Sequence, residues 1–331
     1  MTLSWKNHRL QLKETFSIAY GNYDFRDVLL VKLSHKNETG YGECVAINYY
    51  GINLDDFELK LKEIQSPLEN MVIAQPQEFY LLLLRLNLHP FLRSALDCAF
   101  WDLFGKLEDK TFSELNDFDT QSLPESSLTI SIDTVDAQIK RIKNSPWQKF
   151  KVKCNGLDRE NVFKLLQTGK EIALDANASF SAEDCLFLQN HPSSKGFAYI
   201  EQPLPVAEYQ VLNNDGFVRW MADEDCQKIS CLEKLQPHYS AINIKLMKCG
   251  GITPALELIK EAQKFNYKIM IGCMTESSVG ISAGIAVASL CDYADLDGAH
   301  LISNDYAKGS FVENGNLVVI QKPGLGIEMI S

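Results

Sequence analysis

The sequence predicts an α/β protein, a (β/α)8 barrel of the TIM type preceded by an N-terminal α+β domain. Three observations carry that expectation. The first hundred residues read as strands followed by helices. From about Ser127 the pattern changes to short β-rich runs alternating with amphipathic stretches, and there are eight such runs. Successive run ends lie roughly 20 to 27 residues apart, the length of one strand plus one helix, which is the unit such a barrel repeats.

In the N-terminal part, Leu3–Lys13, Asp27–Ser34 and Gly40–Ala46 read as strands, the last two joined by a turn at His35–Thr39. Helical spacing follows in Asp55–Ile64, Pro76–Leu86 and Pro90–Lys106. In the last of these, Leu92, Ala95, Leu96, Ala99, Phe100 and Leu103 form one apolar stripe. The eight barrel runs are Leu128–Ile132, Lys149–Lys153, Glu171–Asp175, Ala198–Glu201, Arg219–Asp223, Ala241–Leu246, Lys268–Cys273 and Ala294–Asp297. Among the segments between them, Leu157–Thr168 and Pro254–Phe265 carry the clearest helical pattern. The tail Gly309–Ser331 reads as a hairpin, SFVENGNLVVI, with an irregular end. It is too long to cap the last barrel helix, so a return to the N-terminal domain is expected. The division is therefore residues 1–115, 116–308 and 309–331.

Composition bounds the function. Of 331 residues 46% are hydrophobic and 23% charged, enough to bury a large core. A net charge of -11 with no basic stretch argues against a nucleic-acid partner and suits a small-ligand site that holds a cation. The nine cysteines are scattered without a CxxC pair, and most sit in apolar runs such as SALDCAFWDL and IMIGCM, where cysteine acts as a small hydrophobe. That is the usage of a reducing compartment. The N-terminus lacks the apolar core of a signal peptide, and no run reaches the roughly 20 apolar residues of a membrane span. A cytoplasmic protein with no membrane partner is expected.

A barrel collects its chemistry at the C-terminal strand ends. Those ends carry Thr129; Lys151 and Lys153; Asp175 and Asn177; Glu201; Asp223 with Glu224; Lys245; and Asp295 with Asp297. Residues two apart share one face of a strand. A single aspartate is ordinarily a surface group or a helix cap. Here Asp175, Glu201 and Asp223 each follow apolar strand residues on three consecutive strands, and that oxygen-donor set is what Mg2+ requires, one ion per site.

In KFKVKC, Lys149, Lys151 and Lys153 share one face; alone they would suit a solvated edge strand. A parallel barrel covers both strand faces, so lysines there need negative partners. Lys245 sits likewise among Ile242, Ile244 and Leu246. A cation or a neighbouring ammonium lowers a lysine's pKa and makes it a usable base. The second and sixth strands lie on opposite walls. A substrate carboxylate on the cation would present its α-carbon between Lys153 and Lys245. One lysine would take the proton and the other return one to the opposite face, a two-base 1,1-proton transfer.

With these residues in view, the sequence resembles the enolase superfamily, in the muconate-lactonizing-enzyme-like subgroup, over nearly the whole chain. The matching pieces are KVK (151–153), LDAN (174–177), YIEQPL (199–204), MADED (221–225), NIKLMKCGGI (243–252) and PGLG (323–326). The resemblance implies that Lys153 and Lys245 are the acid/base pair, that Asp175, Glu201 and Asp223 bind magnesium, and that Glu224 stands behind them. It also implies that the N-terminal α+β domain caps the barrel and supplies specificity loops, and it allows a homo-oligomer. ADLDG (294–298) resembles the DxD of dipeptide epimerases, in which two aspartates hold the ammonium of the N-terminal residue, and GCMTESSVG (272–280) is similar to the same group. Asp295 and Asp297 on one strand face are chemically suited to a cation.

The best-known activity of that group interconverts L-Ala-D-Glu and L-Ala-L-Glu in the use of murein peptides. An arginine in the capping loop can hold the glutamate side chain there. The corresponding loop here, FSIAYGNYDFRD, has no arginine at the expected place; Arg26 comes several residues later. Tyr20, Tyr23, Tyr49 and Tyr50 could equally line an apolar pocket for another dipeptide. Two rivals from the same subgroup, o-succinylbenzoate synthase and muconate cycloisomerase, have no ammonium for Asp295 and Asp297 to bind. A non-catalytic barrel for an amino-acid-like ligand would have no use for lysines on both faces.

Overall fold

The structure, a computed structural model, describes residues 1–71 and 75–330; the expected tail range includes Ser331, which lies outside them. Strands β1 (Thr2–Ile18), β2 (Gly21–His35) and β3 (Glu38–Val45) form an antiparallel sheet in that order. Both β1 and β2 run further than the apolar alternation suggests. Past an irregularity between Gln11 and Phe16 they continue as a ribbon to its tip at Ile18 and Gly21. Helix α1 (Leu54–Glu69) starts at Asn53, whose side chain accepts from the Asp55 amide at 3.0 Å. Helices α2 (Pro76–Arg85) and α3 (Pro90–Leu107) each open on a proline, which gives up no helical hydrogen bond at that position.

Helix α3 is apolar almost all round because it is covered on both sides. Leu92, Ala95, Leu96, Ala99 and Phe100 join the core of the sheet, while Cys98 and Trp101 join that of the barrel. The close approach of β3 requires glycine: a Cβ on Gly40 or Gly42 would stand 2.1 Å from Ala99 O or 2.0 Å from Ala95 O. Buried Asp97 accepts from the Thr253 amide (2.9 Å) and hydroxyl (2.7 Å), tying α3 to the barrel. A short α4 (Phe112–Asn116) follows, with a reciprocal cap between Thr111 and Glu114.

The barrel comprises β4 (Leu128–Ile130), α5 (Val135–Lys143), β5 (Lys149–Lys153), β6 (Glu171–Asp175), α6 (Ala182–Asn190), β7 (Ile200–Glu201), β8 (Trp220–Ala222), α7 (Leu232–Leu235), β9 (Ala241–Lys245), α8 (Leu246–Cys249), α9 (Ile252–Lys264), β10 (Lys268–Gly272), α10 (Ser278–Val287) and β11 (Tyr293–Asp295). Its eight strands are parallel and ordered as in the chain. The ring is nearly closed where Ser126 bridges Ala294 and the Ser127 amide donates to Ala294 O at 3.0 Å. All eight runs expected from the sequence are strands, several trimmed by a residue or two.

One helical expectation fails. Segment 157–168 is turn followed by a 3-10 stretch, Val162–Thr168, whose buried Val162 and Leu165 are three apart, the repeat of that tighter helix. Asp158 accepts from the Asn161 amide and side chain at 3.2 Å and 3.1 Å, so local bonds compete with an α-helical start. In the tail, β12 (Ala307–Lys308) is followed by β13 (Phe311–Glu313) and β14 (Asn316–Val318), a hairpin turned by Asn314 and Gly315 at φ 50° and 96°. The chain then returns to α3, with the Gly324 amide on Lys110 O (2.8 Å) and the Leu325 amide on Asp102 Oδ1 (2.8 Å), before β15 (Glu328–Met329) pairs with β12.

Inside the barrel, Ala173, Tyr199, Met221, Ala241 and Met270 form an apolar layer. Two residues further along several of these strands, on the same face, the side chains become charged: Asp175, Glu201 and Asp223.

Candidate active site

Register brings the strand-end residues side by side. Lys153 pairs with Asp175 and Asp175 with Glu201, while Lys245 pairs with Gly272 and Gly272 with Asp295. On one wall the Lys153 ammonium donates to Asp175 Oδ2 at 2.5 Å and to Asn177 Oδ1 at 3.1 Å. Across from it Lys245 donates to Asp223 Oδ2 at 2.7 Å. Between these two pairs stands Glu201, whose Oε1 accepts from Asn243 at 2.7 Å. Lys151 donates to Asp295 and lies 3.4 Å from both Asp175 and Glu201. Thr129 donates to Asp297 through its amide (2.6 Å) and hydroxyl (3.2 Å), and Ser127 to Asp295 Oδ1 at 2.8 Å. Asn177, at φ 40°, donates its amide to Asp175 Oδ1 at 3.0 Å. Tyr20, from the ribbon tip, donates to Glu224 at 3.1 Å. The structure thus gathers every strand-end residue singled out from the sequence into one cluster, buried except for half-buried Thr129.

Several participants carried no role in the sequence reading. Lys248 on α8 is buried and donates to both the carboxylate and the carbonyl of Asp223, the latter at 2.5 Å. Its signal was available: a lysine between apolar residues, like Lys245. Asn243 fits beneath Glu201 because Gly272 is bare; a Cβ there would stand 2.4 Å from Asn243 Oδ1.

Electrostatics separates the carboxyls. Burial pushes Asp223 up, but Lys245 and Lys248 outweigh it and hold it well below the usual carboxylate range. Asp175 is lowered in the same way, burial being overcome by Lys153 and Lys151. Glu201 goes the other way: burial and the charge of Asp175 raise it to about 8 despite Lys151. Burial and Asp295 likewise raise Asp297 to about 7. Lys245 departs from the sequence expectation of a lowered pKa. Burial alone would lower it, yet Asp223 and Glu201 hold it above its ordinary value. A carboxylate neighbour acts opposite to the cation that the expectation assumed.

The donor set fits a hard divalent cation. Four buried lysines (Lys151, Lys153, Lys245, Lys248) face six buried carboxyl groups (Asp175, Glu201, Asp223, Glu224, Asp295, Asp297), so the acidic groups outnumber the basic ones by two and a cation would favour their ionised forms. Glu201 Oε2 accepts no hydrogen bond although buried, with the Lys151 ammonium 3.4 Å away. Glu224 Oε2 is likewise without a partner, and an all-oxygen set that leaves buried oxygens unpaired suits magnesium. Among the described residues no three His, Cys, Asp or Glu side chains already converge as a cage; Lys153 and Lys245 lean onto the outer two carboxylates and would have to draw back.

Above the charges opens a cavity of about 730 Å³, its mouth included, reached by Lys153, Lys245 and Asp297 and walled by the sheet's ribbon through Phe16, Ile18 and Tyr23. Arg26 on β2 also lines it. The Arg26 guanidinium is buried, stacks 4.4 Å over the Tyr23 ring and donates to Ala46 O at 2.9 Å, while its Nε has no partner. The adjacent Asp27 is taken by Arg9 at 2.7 Å. Burial lowers the Arg26 pKa, outweighing the charge of Asp27, which makes no hydrogen bond to it.

A family model described as enolase C-terminal domain-like matches residues 134–330. The chain is 36% identical to an L-Ala-D/L-amino acid epimerase of Maribacter sp., over 99% of each chain. It is 30% identical to an L-Ala-D/L-Glu epimerase of Bacteroides thetaiotaomicron, covering 100% of this chain and 88% of that one. Among solved structures, the dipeptide epimerase from Methylococcus capsulatus complexed with Mg and the dipeptide L-Arg-D-Lys superposes with a TM-score of 0.86 at 27% identity, over 99% of both chains.

Proposed function

The chain belongs to the enolase C-terminal domain-like family, and from that premise we propose that it is a magnesium-dependent dipeptide epimerase acting at the α-carbon of the C-terminal residue, with L-Ala-D/L-Glu as its foremost substrate. One observation carries the reading: Lys153 and Lys245 enter the same buried cavity from opposite walls, each on its own carboxylate, with Glu201 between. The full-length similarity to alanyl-dipeptide epimerases supports it.

In this reading Asp175, Glu201 and Asp223 hold the ion. Bound magnesium supplies Lewis-acid charge toward the substrate carboxylate and offsets the three carboxylates that hold the lysine protons. Lys153 and Lys245, one on each face of the α-carbon, then divide the work: one removes the α-proton and the other delivers a proton from the opposite side. Lys151, held charged by Asp295, Glu201 and Asp175, adds positive potential where the enediolate develops. Asn177 and Glu224 orient Lys153 and the ribbon tip. Asp297 receives the dipeptide ammonium together with Asp295. Asp295 already faces Lys151, so Asp297 offers the uncompensated charge.

Arg26 supports a glutamate side chain: a buried guanidinium without a carboxylate partner is costly, and a ligand carboxylate would supply one. The apolar wall of Phe16, Ile18 and Tyr23 favours a second reading, an apolar C-terminal residue. The experiment is deuterium uptake from D2O with magnesium over a set of L,L-dipeptides. Uptake at the C-terminal α-carbon, fastest for L-Ala-L-Glu, is expected; no exchange with any dipeptide would sink the epimerase reading. Nine free thiols support a reducing, cytoplasmic setting. The charge of -11 supports a small-molecule partner rather than nucleic acid, and no helix among the described residues is long and apolar enough to cross a membrane.

A further inference from the structure

After Asp223 the chain leaves the site toward the surface through Glu224, Asp225 and Cys226, exposes residues 227–230, and turns back inside at Cys231. The two cysteines are buried free thiols, and their sulfurs lie 3.5 Å apart across this short excursion. Backbone bonds hold the arc: the Cys226 amide donates to Asp223 O at 3.0 Å and the Cys231 amide to Lys228 O at 3.1 Å. On the inner side, the Cys226 carbonyl accepts from Lys248 at 3.3 Å, and that same ammonium holds the Asp223 carboxylate and carbonyl and Asn243 O. One buried ammonium therefore joins the thiol-bearing loop to a carboxylate of the active site.

We propose that Cys226 and Cys231 are a redox modification site, a dithiol that a small disulfide or hydroperoxide closes into an intramolecular disulfide, disturbing the Lys248 ammonium that holds Asp223. Bonding brings two sulfurs to about 2 Å, so about 1.5 Å of closure is needed here. Both cysteines are buried and Cys231 runs directly into buried Leu232, so the movement is shared: the exposed arc 227–230 takes up the slack, and the part that falls to Cys226 draws its carbonyl off Lys248. Cys231 reacts first. It borders the exposed arc, its S–H reaching Lys228 O at 2.8 Å, whereas Cys226 lies on the inner side with its carbonyl on Lys248. With glutathione disulfide, the Cys231 thiolate attacks one sulfur and expels one glutathione thiolate. Cys226, giving its proton to solvent, then attacks the Cys231 sulfur and expels the second. Two protein thiols are oxidised and one glutathione disulfide is reduced to two thiols.

The consequence for Asp223 rests on the function proposed above; the disulfide itself does not. The purified chain is incubated with glutathione disulfide, alkylated, digested and analysed by mass spectrometry, with epimerisation followed in parallel. The expected product is a peptide in which Cys226 and Cys231 are unalkylated and two hydrogens lighter, restored by dithiothreitol. Epimerisation should fall at least tenfold with it and recover on reduction. Cys231→Ser and Cys231→Ala should form no such disulfide and keep their activity under the oxidant. Equal alkylation of both cysteines with and without oxidant would overturn the site. A mapped disulfide with less than a twofold loss of activity would overturn its link to Asp223. If the reduced protein epimerises no dipeptide, the functional reading fails while the mass measurement still decides the disulfide.

Discussion

Replacing Arg26 by methionine separates the two readings of substrate specificity. Methionine keeps the length of the side chain and its packing on Tyr23 while removing the charge. In the protein Arg26 spends one N–H on Ala46 O, leaving its Nε and further donors for a ligand. Two charge-assisted hydrogen bonds to a glutamate carboxylate, at about 1.5 kcal/mol each, amount to about 3 kcal/mol. The expected result is a fall in kcat/KM for L-Ala-D-Glu on the order of 100-fold. The lost tie to Ala46 O costs about 1 kcal/mol of local order whatever the substrate, so L-Ala-L-Leu serves as the internal control. Steady-state rates of both dipeptides, by chiral chromatography or deuterium exchange, give the ratio directly. Equal losses for the two dipeptides would show that Arg26 only shapes the ribbon, and an unchanged rate for L-Ala-D-Glu would remove the carboxylate receptor altogether.

Lys153→Ala and Lys245→Ala should each lower epimerisation by about 10²- to 10⁴-fold, the usual worth of a positioned proton-transfer group. Each should still exchange the α-proton of one epimer with D2O, the two variants on opposite epimers; full epimerisation in either would end the two-base assignment. Asp297, raised to about 7, is protonated in the free protein below that pH, and the dipeptide ammonium favours its ionised form. KM should therefore rise by about tenfold per pH unit as pH falls below about 7, in the field of Asp295, Lys151 and Thr129. Asp297→Asn should show a higher KM without that slope, and a parallel slope in the variant would refute the role. Gly42→Ala drives a Cβ to 2.0 Å from Ala95 O on α3, a backbone clash that cannot yield by rotamer change. Unfolding followed by heat should reveal a loss of about 3 kcal/mol, and an unchanged melting temperature would mean that β3 and α3 are less tightly apposed.

The barrel was legible because most of its strands are apolar on both faces and end in charges, a contrast that a one-dimensional reading detects without contacts. Segment 157–168 was misread because Val162 and Leu165 satisfy helical and 3-10 spacing alike, and only the competing bonds of Asp158 decide between them. Arg26 shows the opposite limit. Its place in the ribbon is set by pairing with Leu10 across a 15-residue strand, and its reach into the cavity comes from where that strand crosses the barrel mouth. No local pattern records such a crossing, so a reading confined to the expected loop position passed over it. Lys248 lies between these cases. Its apolar neighbours marked it as buried, but its partner Asp223 is on another strand, and partnership across a barrel is a property of register. The charges gathered at the strand ends were therefore recoverable as a list, whereas their energetics were not. That Glu201 is raised while Asp223 is depressed follows from which carboxylate each ammonium touches, Lys245 and Lys248 both falling to Asp223 and Glu201 keeping an oxygen with no partner. The same asymmetry picks Glu201 as the ligand whose charge gains most from a bound cation. Glu201→Gln should accordingly weaken the rise in melting temperature produced by added magnesium, a readout independent of turnover. A rise as large in the variant as in the native protein would place the ion elsewhere.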